Sequence, residues 1–184
     1  MKSNYYRNCF FYLYSTVFLT SLLLGNKSNP TFQLSWPTPN PAFAHGMGYS
    51  AFLQKTGPDK DFSSGAFGCV RNNGYKFHEG LDLYPIKRDS KGYAEDSIYA
   101  VMDGIVSHVN YVSGYSAYGK YLVLKHNKIV PKLYSLYGHL ASIEPGIKIG
   151  SEIKVAQKIG KMGNSESYRI PLNRCHIHFE IGLR

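Results

Sequence analysis

The sequence predicts a mainly β fold: a compact antiparallel sheet or sandwich-like domain with a loop-rich N-terminal part. Three observations carry the prediction. The 184 residues include 18 Gly, 9 Pro and 16 Tyr, a supply of turn formers and strand formers rather than of helix formers. Short β-branched and aromatic runs follow one another after Asp82, and Gly-bearing turn signals separate them. With 43% hydrophobic residues the chain is too apolar to be disordered and, lacking repeated long apolar runs, is not a polytopic membrane protein. Its length suffices for a buried core without a disulfide framework.

Residues 1–25 carry an export signal: Lys2 and Arg7 precede the uncharged apolar stretch Phe10 to Leu24. Those fifteen residues fall short of the ~20 a bilayer span needs, which favours a cleaved signal, although no small-x-small site follows Leu24. A retained segment would tether the protein to the membrane. Either way the expected location is outside the cytoplasm, in the periplasm or cell envelope. Loss of residues 1–25 removes two cations and no acid, lowering the formal charge from +9 to +7. The basic remainder suits an anionic wall polymer or lipid headgroups better than nucleic acid. Cys69 and Cys175 would then be the two cysteines left, in a compartment that permits pairing without requiring it.

Residues 26–44, with Pro30, Pro37, Pro39 and Pro41, read as an extended lead-in, and residues 45–184 as the folded domain. From His45 to Gly80 the chain is loop-rich, with turn signals at Ser63-Ser64-Gly65 and Asn72-Asn73-Gly74. Strands are predicted at Ile98–Met102, Gly104–Val112, Lys120–Lys125, Lys132–Tyr137 and His176–Ile181. Asp103-Gly104 predicts a type I′ hairpin between the first two. Gly146, Gly150, Gly160 and Gly163 punctuate two further brief strands.

Chemistry concentrates in the histidines. In Cys175-His176-Ile177-His178-Phe179-Glu180-Ile181, strand alternation places His176, His178 and Glu180 on one face and the apolar residues on the other. Two imidazoles ~6–7 Å apart on a strand can approach one reaction centre, one bound to a metal and one free for acid/base work. The bland alternative is a polar solvent face. In His78-Glu79-Gly80-Leu81-Asp82, His78 and Asp82 would lie ~13 Å apart in a straight strand, so sharing an ion requires a bend, which Gly80 permits. A helical H-E-x-x-H reading fails on Gly80 and on the missing apolar stripe, leaving Glu79 a neighbour. His139, in Tyr137-Gly138-His139-Leu140, closes a Tyr- and Leu-rich strand. His108 and His126 read as structural.

Taken in order, H-x-x-x-D, Tyr-Gly-His-Leu and H-x-H-F-E-I resemble the lysostaphin/LytM-type zinc metallopeptidases. The resemblance extends over roughly Phe77 to Ile181 and includes Tyr118-Gly119 and Ile159-Gly160-Lys161-Met162-Gly163. It implies one catalytic Zn2+ held by His78, Asp82 and His178, with His139 and His176 as catalytic histidines. It also implies an endopeptidase acting on the peptide cross-links of bacterial peptidoglycan, with the wall or its stem peptides as partner. The rival expectation is a non-catalytic wall-binding or amidase-regulating module of the same fold. The segment Asn164–Cys175 is longer than the turn many members carry there, and is expected to shape the cleft.

Overall fold

The computed structural model describes residues 33–55, 61–71, 73–166 and 170–183; the segment read as an export signal lies outside them. Along the chain run β1 (Val70–Arg71), β2 (Lys76–Phe77), β3 (Leu81–Leu83), β4 (Ser97–Tyr99), β5 (Gly104–Asn110), β6 (Tyr121–His126), β7 (Leu133–Gly138), β8 (Leu140–Ile143), β9 (Glu152–Ile153), β10 (Lys158–Met162) and β11 (Ile177–Leu183). β1 and β2 pair as a short arm. Six strands form the main antiparallel sheet in the order β3-β11-β7-β6-β5-β9, and β4-β10-β8 form a smaller one. The mainly β, antiparallel fold is thus the one the composition predicts. Among the described residues no helix is long and apolar enough to cross a membrane.

Alternation along β6 buries Leu122, Leu124 and His126 on one face, and these join Ile98, Met102, Leu140, Ile159, Met162 and Ile177 from both sheets in a single core. Tyr137 is fully buried in this core. Its hydroxyl accepts the Val101 N–H at 2.9 Å, joining β7 to the segment after β4, and burial pushes the phenol up to about 12.

Two sequence expectations are corrected. Asp103-Gly104 is not a hairpin: β4 belongs to the small sheet and β5 to the large one, so the chain crosses between sheets there. The Asp103 carboxylate accepts the Val155 N–H at 2.9 Å, and its carbonyl accepts from His126 Nδ1 at 2.8 Å. Gly104 is needed for proximity rather than for φ, because a Cβ would come within 2.9 Å of His126 Nδ1. The strand predicted to Met102 therefore ends at Tyr99, whose neighbours bend toward that crossing.

Secondly, the described part of the Pro-rich lead-in is packed into the domain ahead of His45. Trp36 stacks on Phe43 at 4.3 Å and meets Phe52 edge-on at 5.5 Å, while Thr38, Asn40 and Ala42 are buried. Ser35 donates to the Val101 carbonyl and Pro37 accepts from Tyr99 N–H, so extended, proline-bearing backbone covers the open edge of β4. The pairing that the sequence left open is not formed: Cys69, half-buried, and Cys175, buried, are free thiols.

Candidate metal centre and active site

The bend expected within His78–Asp82 sits at Gly80, just before β3. A Cβ there would meet the Phe179 carbonyl at 2.5 Å, so glycine lets the bend press against β11. β3 pairs with β11 in the register that sets Asp82 opposite His178. The result brings His78 Nε2, Asp82 Oδ1 and His178 Nδ1 together: 3.0 Å between the first two, 3.1 Å between the last two, and 3.2 Å between the two imidazoles. All three side chains are buried.

The far atoms of each ligand candidate are tied down, which decides what the near atoms present. His78 Nδ1–H donates to the Ala66 carbonyl at 2.8 Å, turning the Nε2 lone pair inward. His178 Nε2–H donates to Glu180 Oε1 at 2.9 Å, turning Nδ1 inward. Asp82 Oδ2 accepts from Arg71 at 2.9 Å, leaving Oδ1 for the centre. His78 Nε2, Asp82 Oδ1 and His178 Nδ1 thus face one another within 3.2 Å, an arrangement that positive charge between them, a proton or a metal ion, stabilises. The separations are close to the ~3.3 Å edge of a tetrahedron whose donor bonds are ~2 Å, the geometry of zinc. His78, Asp82 and His178 also form the metal-competent cluster found among the described residues.

Electrostatics agree. Burial raises the Asp82 carboxyl, but the His176 imidazole beside it and hydrogen bonds from His178 and His78 hold it well below the usual range. Burial likewise disfavours a proton on His178, yet Asp82 and Glu180 outweigh it and lift the imidazole to about 9. Glu180, which the alternation places on the site face, is held in turn by Tyr118 Oη at 2.8 Å and Tyr134 Oη at 3.2 Å.

His139 and His176 share the same cavity, about 340 Å³ in volume. Their rings lie 4.8 Å apart, and His176 Nε2 is 3.6 Å from Asp82 Oδ1. His139 occupies the left-handed region at φ 59°, where the chain turns from β7 in the large sheet to β8 in the small one. His139 Nδ1–H donates to the Ser165 carbonyl at 2.8 Å and His176 Nδ1–H to the Arg174 carbonyl at 2.6 Å, which leaves both Nε2 atoms for the cavity. Burial, with His176 adding to it, pushes His139 down to about 3; burial also lowers His176. Both are neutral imidazoles at neutral pH.

The structure therefore assembles all five predicted site residues. His126 is placed in the core between the Asp103 carbonyl and Ser135 Oγ, and His108 stacks on Tyr121 at 5.4 Å, both away from the cavity. Sequence reasoning missed Arg71, Tyr118 and the role of Glu180. Alternation already set Glu180 beside His178, whereas no local pattern points to Arg71, eleven residues from Asp82.

Comparison with known proteins places the fold. The chain is similar in fold to the catalytic domain of EnpA, a prophage-encoded M23 protein of Enterococcus faecalis. That match has a TM-score of 0.50 and 20% identity and covers 83% of this chain and 87% of that one. It is equally similar to a peptidase M23 described as putative from Pseudomonas aeruginosa (TM-score 0.50, 20% identity), covering 84% of this chain and 46% of that one. A third match is the catalytic domain of the antimicrobial peptidase lysostaphin of Staphylococcus simulans, at TM-score 0.45 and 23% identity over 65% of this chain and 75% of that one. No curated protein sequence matches. The sequence model of Peptidase family M23 matches residues 76–184, more than half of the chain and all five site residues read from the sequence, though not Arg71, and the chain belongs to that family.

Proposed function

We propose that this protein is an exported zinc-dependent endopeptidase that hydrolyses peptide cross-links of bacterial peptidoglycan. The observation that carries the reading is the convergence of three inward lone pairs, from His78, Asp82 and His178, in a cavity that two neutral imidazoles also line. Export is supported by the N-terminal segment, and the wall substrate by the family and the basic charge.

His78 Nε2, Asp82 Oδ1 and His178 Nδ1 would hold the metal. Zinc, when bound, supplies a Lewis acid that polarises a carbonyl and acidifies water toward pKa ~7. Glu180 and Tyr118 keep His178 in the tautomer that ligation needs, and Arg71 occupies the outer oxygen of Asp82. His139 and His176, held neutral, present Nε2 acceptors to the cavity that can hydrogen-bond and orient the attacking water. Protonated, either one stabilises a developing oxyanion. Their backbone anchors at Ser165 and Arg174 prevent the rings from turning away.

The test is incubation of purified peptidoglycan with the zinc-loaded and the chelated protein, followed by mass spectrometry of released fragments. New free amines that require zinc are the expected result and identify the bond. Intact wall in the presence of folded, zinc-loaded protein would refute the reading in favour of a binding module.

A further inference from the structure

Of the five site residues, His139 alone occupies the left-handed region, so its backbone and its ring must both be held by their surroundings. His139 N–H donates to the Tyr118 carbonyl at 2.7 Å and Leu140 N–H to the Lys120 carbonyl at 3.0 Å, which fastens the β7–β8 turn to the chain entering β6. The half-buried Ser165 bridges these two segments. Its hydroxyl accepts the Lys120 N–H at 2.9 Å and donates to the Leu140 carbonyl at 2.7 Å, while its own carbonyl accepts His139 Nδ1–H at 2.8 Å. Gly119 adopts φ 60°, and a Cβ there would collide with the Ser165 carbonyl, so the Tyr118-Gly119 pair is what admits Ser165 to this position. Asn110 Nδ2 secures the Gly119 carbonyl at 2.6 Å from the β5 side.

The bonds to the Tyr118 and Lys120 carbonyls run from main chain to main chain, and many sequences could make them. The bridge across them needs a short side chain that donates and accepts at one atom, which is a hydroxyl. Resting on the endopeptidase reading of His139, we propose that Ser165 is the positioning residue of that imidazole. Its hydroxyl, bound on both sides, fixes where its carbonyl sits, and the carbonyl selects the Nδ1–H tautomer that turns the Nε2 lone pair to the cavity. Without the hydroxyl, Ser165 parts from Lys120 and Leu140 and its carbonyl drifts from Nδ1. The Nε2–H tautomer then becomes accessible, and it offers the attacking water a donor in place of an acceptor.

Tautomer and turnover are read separately in the zinc-loaded full chain. NMR of the nitrogen-labelled imidazoles should show His139 with a proton on Nδ1 and none on Nε2. Ser165→Ala should populate both tautomers and lower kcat about 10–100-fold, with KM and zinc content unchanged. Ser165→Thr, which keeps the hydroxyl, should restore the single tautomer and most of kcat. A proton on Nε2 in the unmodified protein would overturn the proposal without any variant. So would a folded Ser165→Ala protein that keeps the Nδ1–H tautomer, or one whose loss falls on KM alone. If the unmodified protein leaves peptidoglycan intact while Ser165→Ala still mixes the His139 tautomers, the positioning role stands and the endopeptidase reading falls.

Discussion

The two halves of the site are held by different parts of the molecule. Two of the three metal-ligand candidates are fixed from side chain to side chain: Arg71 holds Asp82, Glu180 holds His178, and Tyr118 and Tyr134 hold Glu180, with Asp82 and His178 on the paired strands β3 and β11, while His78 is anchored on the Ala66 carbonyl. The free imidazoles are fixed by main chain alone, His139 by the Ser165 carbonyl and His176 by the Arg174 carbonyl. Those two carbonyls lie near opposite ends of the long segment Asn164–Cys175. Asn164 Nδ2 ties that segment to the Ile170 carbonyl, and Arg88 donates to the carbonyls of Leu172, Asn173 and Cys175. A charge centre needs charged partners in a low dielectric, whereas proton-transfer groups need orientation without added charge. The segment thus orients both imidazoles and, through Glu166, Ile170, Pro171 and Arg174, lines the cavity.

The sharpest way to break this contrast is to remove one member of each half. Asp82→Ala and His178→Ala should lose stoichiometric zinc and fall to background activity, while His139→Ala should keep its zinc and lose about 10²–10⁴-fold in kcat. Elemental analysis beside turnover checks both. Zinc lost from His139→Ala and kept by Asp82→Ala would reverse the two halves.

One step further out, Glu180→Gln and Tyr118→Phe act on the tautomer of His178. Zinc affinity should fall about 10–100-fold by competition with a chelating dye, more for Glu180→Gln because it replaces the charged carboxylate that His178 Nε2–H donates to with a neutral amide. Arg88→Ala probes the other half: freeing the 3-10 turn should cost about 2 kcal/mol in denaturant unfolding and lower kcat with zinc content intact. Loss of zinc in Arg88→Ala would mean that the insertion supports the metal half as well.

The smallest effect is on the pH dependence of stability. Burial depresses the His126 imidazole below its ordinary 6.5, and His139 and His176 are depressed in the same direction. The unfolded chain therefore binds protons that the fold resists. The contribution of these three is complete above the unfolded value and falls as pH drops below about 6.5, by at most about 1.4 kcal/mol per pH unit for each histidine, while His178, lifted to about 9, opposes it with the contrary sign in the chelated protein. Denaturant unfolding of the chelated protein between pH 7 and 5 measures the slope, and His126→Gln should make it shallower without altering zinc content.

Much of this was legible in the chain. Alternation in His176–Ile181 assigns the faces of β11 without knowledge of its neighbours, since side chains of a strand point to opposite sides with a period of two. The bend at Gly80 follows from the distance a straight strand would impose between His78 and Asp82. Neither the crossing at Asp103-Gly104 nor the packing of residues 33–44 over β4 was legible. A turn signal reports local backbone preference, but which strand accepts the next hydrogen bond depends on sheet partners far along the chain.

By itself, then, the sequence determined the β class, the identities of the five histidine and aspartate side chains, and the face that His176, His178 and Glu180 share, because these depend on backbone periodicity and side-chain chemistry. Only the tertiary structure decided which nitrogen each imidazole turns inward. That choice rests on acceptors such as Glu180, and on the Ala66, Ser165 and Arg174 carbonyls, brought into place by strand pairing, and on the register that sets Asp82 opposite His178 across 96 residues of sequence.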